Sequence, residues 1–334
     1  MSTVNAVTKA KPDKKVIGKL LSKYVLILVL MICIGIFTSI QPLFFSMNNF
    51  VNILLQNSYL IVATAGVAII MISGGTDLAV SYEMALASVV MAIGMMWWGL
   101  PMGVAILLGI VIATLMGTLN GYLAVRLNIH PMMVTLATMA VFQGAVFLLT
   151  KSQSIFNLPA GFKFIGQGFI ASSLIGEVIP MPVVIMILVI LAVSFMLNKT
   201  YLGRFAYAVG SNPEASRLSG INVGFIKILL FSIGGFIIGI ASMMLLARSG
   251  SANATMALGT EFNAITACVL GGISLKGGEG KLWGAVVGVL ILGVLANGMQ
   301  LIGLGVYPQY IAKGVILIAA IGFDTYQKSK SKRR

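Results

Sequence analysis

Long apolar runs separated by short polar or turn-rich breaks set the pattern of this chain. Ten runs are candidate membrane-crossing helices, at about 24–41, 58–73, 83–99, 101–125, 131–150, 180–198, 226–247, 261–275, 282–302 and 307–323. A run of about 20 apolar residues spans the hydrocarbon core as a helix, because each backbone polar group must be satisfied within its own segment. Several runs are shorter than that, so their ends are soft. The alternating segments of an outer-membrane barrel are absent. The pattern therefore predicts an all-α, polytopic integral membrane protein with about ten transmembrane helices.

Three interruptions have patterns of their own. Residues 42–57 set Asn48, Asn52 and Gln56 four apart, with Phe44, Phe45, Phe50 and Leu54 available to lipid. That spacing predicts a helix lying on the membrane surface. Residues 151–179 mix apolar residues with glycine and should fold back onto the membrane. Both could be plain connections or a docking surface for an external partner. The third, 199–225, contains Asn212, Pro213 and Glu214, which suit a helix N-cap, its first position and its positive end. Gly220 supplies a left-handed residue to end that helix after about two turns. A helix so short is marginal alone in water, so neighbouring spans or a partner protein should pack on it.

Composition excludes a water-soluble fold. Of 334 residues, 59% are hydrophobic and 9% charged, against about 25% charged in ordinary globular domains. The net charge of +14 would suggest nucleic acid in a soluble protein. Here the basic residues cluster at the ends of apolar runs and set topology instead. With the N-terminus inside, eighteen Lys and Arg fall on the cytoplasmic side and three (Lys151, Lys163 and Arg248) outside, as the positive-inside rule requires. Both termini are then cytoplasmic, in keeping with an even number of spans. Residues 1–23 form a basic cytoplasmic segment without a cleavage-site pattern after the first apolar run, which reads as a retained span. Residues 24–325 form a single transmembrane domain, and 326–334 a basic cytoplasmic tail.

Candidate chemistry is sparse. No nucleophile–base pair or metal-ligand cluster stands out, and Cys33 and Cys268 read as packing residues. The nearest lookalike of a phosphate loop, "GGEGKLWG" (277–284), has Leu282 in place of the Mg²⁺-binding hydroxyl and Leu275 in place of the first glycine. The acidic residues, including Asp77, Glu83 and Glu261, are expected at span ends or in loops, so an ion-coupling site of buried charges is not expected. Energy should come from a partner. His130 reads as an interfacial residue, and Trp97 and Trp98 as an aromatic belt. Pathway candidates are Gly74, Gly75, Thr76 and Asp77, where a glycine pair interrupts an apolar run and Thr76 or Asp77 could cap the helix that restarts. Asn297 and Gln300 are three apart and could bond a solute or another helix.

The triplet Glu214-Ala215-Ser216 followed by Gly220 resembles the coupling loop of permease subunits in bacterial ATP-binding-cassette importers. The stretches "GGTDLAVSYEMALA" (74–87), "YAVGSNPEASRLSGINV" (207–223), "ACVLGGISLKGGEGKLWGAVVGVLILGVLANGM" (267–299) and "YPQYIAKGVIL" (307–317) are similar to sugar-importer permeases of the ribose, galactose and xylose type. The likeness covers nearly the whole chain from about residue 25. Ser216 departs from the common Ala, and Ser81 and Tyr82 stand where the family often has Gly after "DLSV", which could alter the pathway. The resemblance implies a permease with a cytoplasmic ABC ATPase seated on Asn212, Pro213, Glu214, Ala215, Ser216 and Gly220, and a periplasmic or extracellular sugar-binding protein. It also implies a homodimer or pseudo-dimer of permeases in the bacterial inner membrane. No cofactor is expected in this chain, with ATP and Mg used by the ATPase. The alternative is a self-sufficient secondary carrier or channel.

Overall fold

The computed structural model of the chain describes residues 14–172 and 176–332. Helices α1 (Lys14–Ile40), α2 (Met47–Ile72), α3 (Val80–Met96), α4 (Met102–Arg126), α5 (Pro131–Thr150), α6 (Ala160–Gln167) and α7 (Met181–Lys199) come first. They are followed by α8 (Tyr201–Ser211), α9 (Pro213–Leu218), α10 (Val223–Ser249), α11 (Thr260–Leu270), α12 (Leu282–Leu301) and α13 (Val306–Lys332). A single antiparallel hairpin, β1 (Phe169–Ser172) with β2 (Gly176–Pro180), is the only sheet among the described residues. The fold is thus helical apart from this hairpin.

Six helices, α2, α4, α5, α7, α10 and α12, are long and apolar enough to cross a membrane. Shorter apolar helices occupy Leu26–Ile40, Val80–Met96 and Val306–Ala319. The run expected at 261–275 is helical only over the eleven residues of α11, about 16 Å of rise. That is far short of a full crossing. The Gly271-Gly272 pair ends it, and residues 271–281 form turns. Most of the expected basic N-terminal segment, residues 1–13, lies outside the described residues, as do 333–334 at the other end. The expected tail from 326 continues α13 as helix to Lys332.

The surface helix expected at 42–57 is not a separate element. Pro42–Phe44 form one 3-10 turn, and from Met47 the chain enters α2 without a break. Ser46 caps it, its Oγ accepting from the Asn49 amide at 3.3 Å. No glycine or proline stands near Gln56, Asn57 and Ser58. Gln56 is exposed, and the other two side chains bond within the helix: Asn57 Nδ2 donates to the Ile53 carbonyl at 2.7 Å, and Ser58 Oγ to the Leu55 carbonyl at 3.0 Å. Within the long loop 151–179, α6 packs on the helix bundle. Phe162 of α6 is fully buried, and Gly166 packs so closely on Ala247 and Arg248 that a Cβ there would stand 2.2 Å from the Arg248 nitrogen.

Helices α2 and α10 form the centre, with 72% and 61% of their apolar windows buried inside the chain, against 28% for α4 and α5. Lipid tails are as apolar as leucine, so close packing of small residues must hold such helices together. Added Cβ atoms at Gly117 and Gly235 would each lie 2.5 Å from a carbonyl oxygen of the facing helix, Phe231 and Ala113 respectively. One at Gly66 would lie 2.9 Å from the Gly234 oxygen. These contacts press α10 against α4 and α2.

Candidate functional site

Helix α9 carries the expected capping chemistry. Asn212 Oδ1 accepts from the Ala215 amide at 3.0 Å, Pro213 takes the first helical position, and Glu214 lies in the first turn. Ser219 closes the helix, and Gly220 follows at φ +83°, where a side chain would be strained. Of its six residues only Ser216 is buried. The Ser216 Oγ donates to the Asn212 carbonyl at 2.9 Å, and its own carbonyl receives the Ile221 amide at 3.1 Å. Glu214 and Arg217 make a solvent-exposed pair at 3.7 Å. Leu218 is 83% exposed. The helix thus stands off the bundle, held at its root.

That root is tightly packed. Helix α8, which the sequence reading left inside a polar loop, buries Gly203, Ala206, Val209 and Gly210. A Cβ on Gly210 would stand 1.9 Å from the Ile72 carbonyl oxygen at the end of α2. The same Ile72 carbonyl accepts from the Gly278 amide at 2.8 Å, and Gly277 abuts Gly74. Tyr207 Oη donates to the Gly280 carbonyl at 3.0 Å. The stretch resembling a phosphate loop therefore forms a junction that locks α8 to α2.

The same junction adjoins the pathway candidates at 74–77. Gly74 sits at φ +81°, which turns the chain out of α2. Thr76 and Asp77 are buried. Asp77 Oδ1 accepts from the Ala79 amide at 2.8 Å just before α3, but the N-cap of α3 is Ala79 without a side-chain cap, so neither Thr76 nor Asp77 caps the helix as expected. Thr135 on α5 pins the turn, its Oγ1 accepting from the Leu78 amide at 3.1 Å and donating to the Thr76 carbonyl at 3.3 Å. Gly75 packs on the Phe231 ring and Ile70.

The acidic residues depart from expectation. Asp77, Glu83 and Glu261 are buried, with exposures of 0%, 0% and 2%. Asn120 Nδ2 on α4 donates to Glu83 Oε1 at 2.8 Å. The second oxygens of all three carboxylates, together with Ser81 Oγ and Asn120 Oδ1, have no hydrogen-bond partner among the described residues. Sequence reading missed Ser81, Glu83 and Asn120 as one group because α3 packs every residue from Val80 to Met95 inside the fold. A polar residue in so short an apolar run gives no local sign of that. The one usable signal was Asn120, a lone amide in an apolar helix.

Asn297 and Gln300 belong elsewhere. Helix α12 starts at Leu282 beside the junction, and Asn297 lies about 22 Å further along its axis. Asn297 is buried, its Oδ1 without a partner among the described residues, whereas Gln300 is exposed. The structure brings neither to the 74–77 turn. His130 caps α5, its Nδ1 accepting from the Met132 amide at 3.3 Å. Trp97 and Trp98 are exposed, as an aromatic belt requires.

Known proteins share this architecture at the level of sequence. Residues 49–321 match the family described as branched-chain amino acid transport system / permease component. Ribose import permease protein RbsC of Haemophilus influenzae is 34% identical over 318 residues, covering 94% of this chain and 96% of that protein. RbsC of Escherichia coli K12 is 36% identical, covering 89% and 92%. The galactose/methyl galactoside import permease protein MglC of the same strain is 33% identical, covering 91% and 94%. No solved structure matches significantly. The chain belongs to this permease family: it is a multi-pass membrane permease of the class that includes these bacterial sugar-import permeases.

Proposed function

We propose that this permease is the membrane subunit of an ATP-driven bacterial importer, and that its cargo is a sugar. Relatives matched along nearly their full length are named for ribose, D-allose, galactose and xylose, which favours a monosaccharide over a branched-chain amino acid. Two copies of the chain flank one pathway in the cytoplasmic membrane. The ten apolar segments cross or enter the bilayer with both termini in the cytoplasm, and an external binding protein delivers the sugar. An ATPase subunit, which uses ATP and Mg, seats on α9.

The observation that carries this reading is the geometry of α9, a capped helix exposed on all sides except Ser216, with Leu218 bare to solvent. A short helix gains little stability alone, and a cleft on a partner would cover it. The root of α9 is Gly210–Ser211, wedged between Ile72 and Gly278. A push on α9 is therefore passed to α8 and the end of α2 as a rigid-body movement, where Gly74 to Asp77 respond. Glu214→Arg tests the role. In membranes holding the ATPase and binding protein, uptake should fall to background while the permease still inserts and folds. Unaltered uptake would refute it. Purified permease alone in liposomes should take up no sugar under an ion gradient; uptake there would favour a self-sufficient carrier.

A further inference from the structure

A cavity of about 320 Å³ opens between the end of α4, the start of α5, α9 and the first turns of α10, within the roughly 300–1,000 Å³ typical of small-ligand sites. Its mouth is basic. Arg217, Lys227 and His130 line it, and no acidic residue does. Because His130 Nδ1 accepts from the Met132 amide, the neutral ring carries its proton on Nε2 as a donor. Among the described residues Arg217 pairs only with the exposed Glu214 at 3.7 Å, a pair worth little at the surface. Lys227 is half-buried and has neither hydrogen bond nor ion pair among the described residues. A cation drawn out of water without a counter-charge is costly, and an anion at the mouth would offset that.

The floor differs from the mouth. Phe231, one turn further along α10 than Lys227, and Gly121 and Ala124 of α4 close the deep end, and all three are buried, Phe231 at 1% exposure. Basic pockets between transmembrane helices at the cytoplasmic face hold acidic lipid headgroups. We infer that this cavity binds the headgroup of an acidic phospholipid of the inner leaflet, its phosphate on Lys227 and Arg217 at the mouth. The choice of leaflet rests on the cytoplasmic orientation proposed above. Bound there, the lipid would touch both Arg217 of α9 and Gly74 of the buried turn, joining the coupling helix to the pathway end through one ligand.

The full chain, purified in mild detergent and given mixed phosphatidylglycerol and phosphatidylcholine, should retain phosphatidylglycerol selectively in native mass spectra. Lys227→Gln should cut that retention roughly fivefold and the double change with Arg217→Gln roughly twenty-fivefold, each cation contributing roughly fivefold. Lys227→Arg keeps the charge and should retain the lipid, which separates a lost site from a lost fold. Excess inorganic phosphate should displace none of it. Equal retention by wild type and the double variant would overturn the inference. So would displacement by inorganic phosphate, which would assign the cavity to a free anion. The readout needs neither ATPase nor uptake, so its failure leaves the import reading intact, and a failed Glu214→Arg test leaves the lipid result intact.

Discussion

The junction at Gly210 and helix α9 lie within three residues of each other and are built on opposite terms. At Gly210, Gly277 and Gly278 there is no room for one methyl group, and three chain segments touch backbone to backbone, with Gly74 facing them at a φ of +81°. On α9 a Cβ at Gly220 would meet nothing within 4 Å, and Leu218 faces solvent. The first region is specified by what it excludes, the second by what it leaves uncovered. A transmitter needs both: a surface that a partner can grip, and an incompressible root that carries the displacement onward. Interiors packed at crystal-like density transmit strain.

Substitutions should separate the two regions by size and kind of effect. Gly210→Val forces a side chain into the Ile72 carbonyl and should cost about 3 kcal/mol or more, read as a lower denaturation midpoint in detergent and a reduced yield of folded permease. A tolerated valine would mean that the junction is loose. Asn120→Leu removes the donor to Glu83 and leaves a buried carboxyl unpaired. About 2 kcal/mol of stability should be lost, and Asn120→Asp should not restore it. Asn212→Ala removes the cap of α9, worth about 1 kcal/mol. Faster hydrogen exchange at Ala215 should report it, with global unfolding unmoved and uptake reduced. Leu218→Ser should shift stability by less than about 0.5 kcal/mol, as exposed sites do, yet weaken co-purification of the ATPase. That last pairing sharpens the contrast most, since a purely structural α9 would show neither change.

The same contrast explains what could be read from the chain. The cap of α9 is local chemistry: Asn212 bonds the Ala215 amide three residues on, so the letters Asn-Pro-Glu suffice to place it. Long helices such as α4, α5, α7 and α10 are legible because an apolar run bounded by basic or turn residues has one economical solution in lipid. The errors arose where sequence-distant partners decide. Polar residues at Asn52 and Gln56 suggested a surface helix, but nothing between Gln56 and Ser58 breaks α2. Residues 271–275 look apolar enough to extend α11, yet Gly271 is needed where Gly284 packs against it. Glu83 looked like a span-end carboxylate until Asn120, 37 residues away, closed over it. The buried face of α8 was hidden because its glycines read as loop residues rather than as sites of backbone contact.

The central claim is that α9 is the surface an ATPase grips. Leu218→Cys, introduced into the intact importer, places a thiol at a position of that helix that is 83% exposed; of the two natural cysteines, Cys268 is buried and Cys33 is partly so. A bifunctional thiol crosslinker applied to membranes should yield an adduct of permease and ATPase whose amount changes with ATP, absent from the parent chain. Failure of that adduct in an importer that still transports sugar, or labelling of the new thiol by an impermeant reagent from outside the cell, would contradict the account.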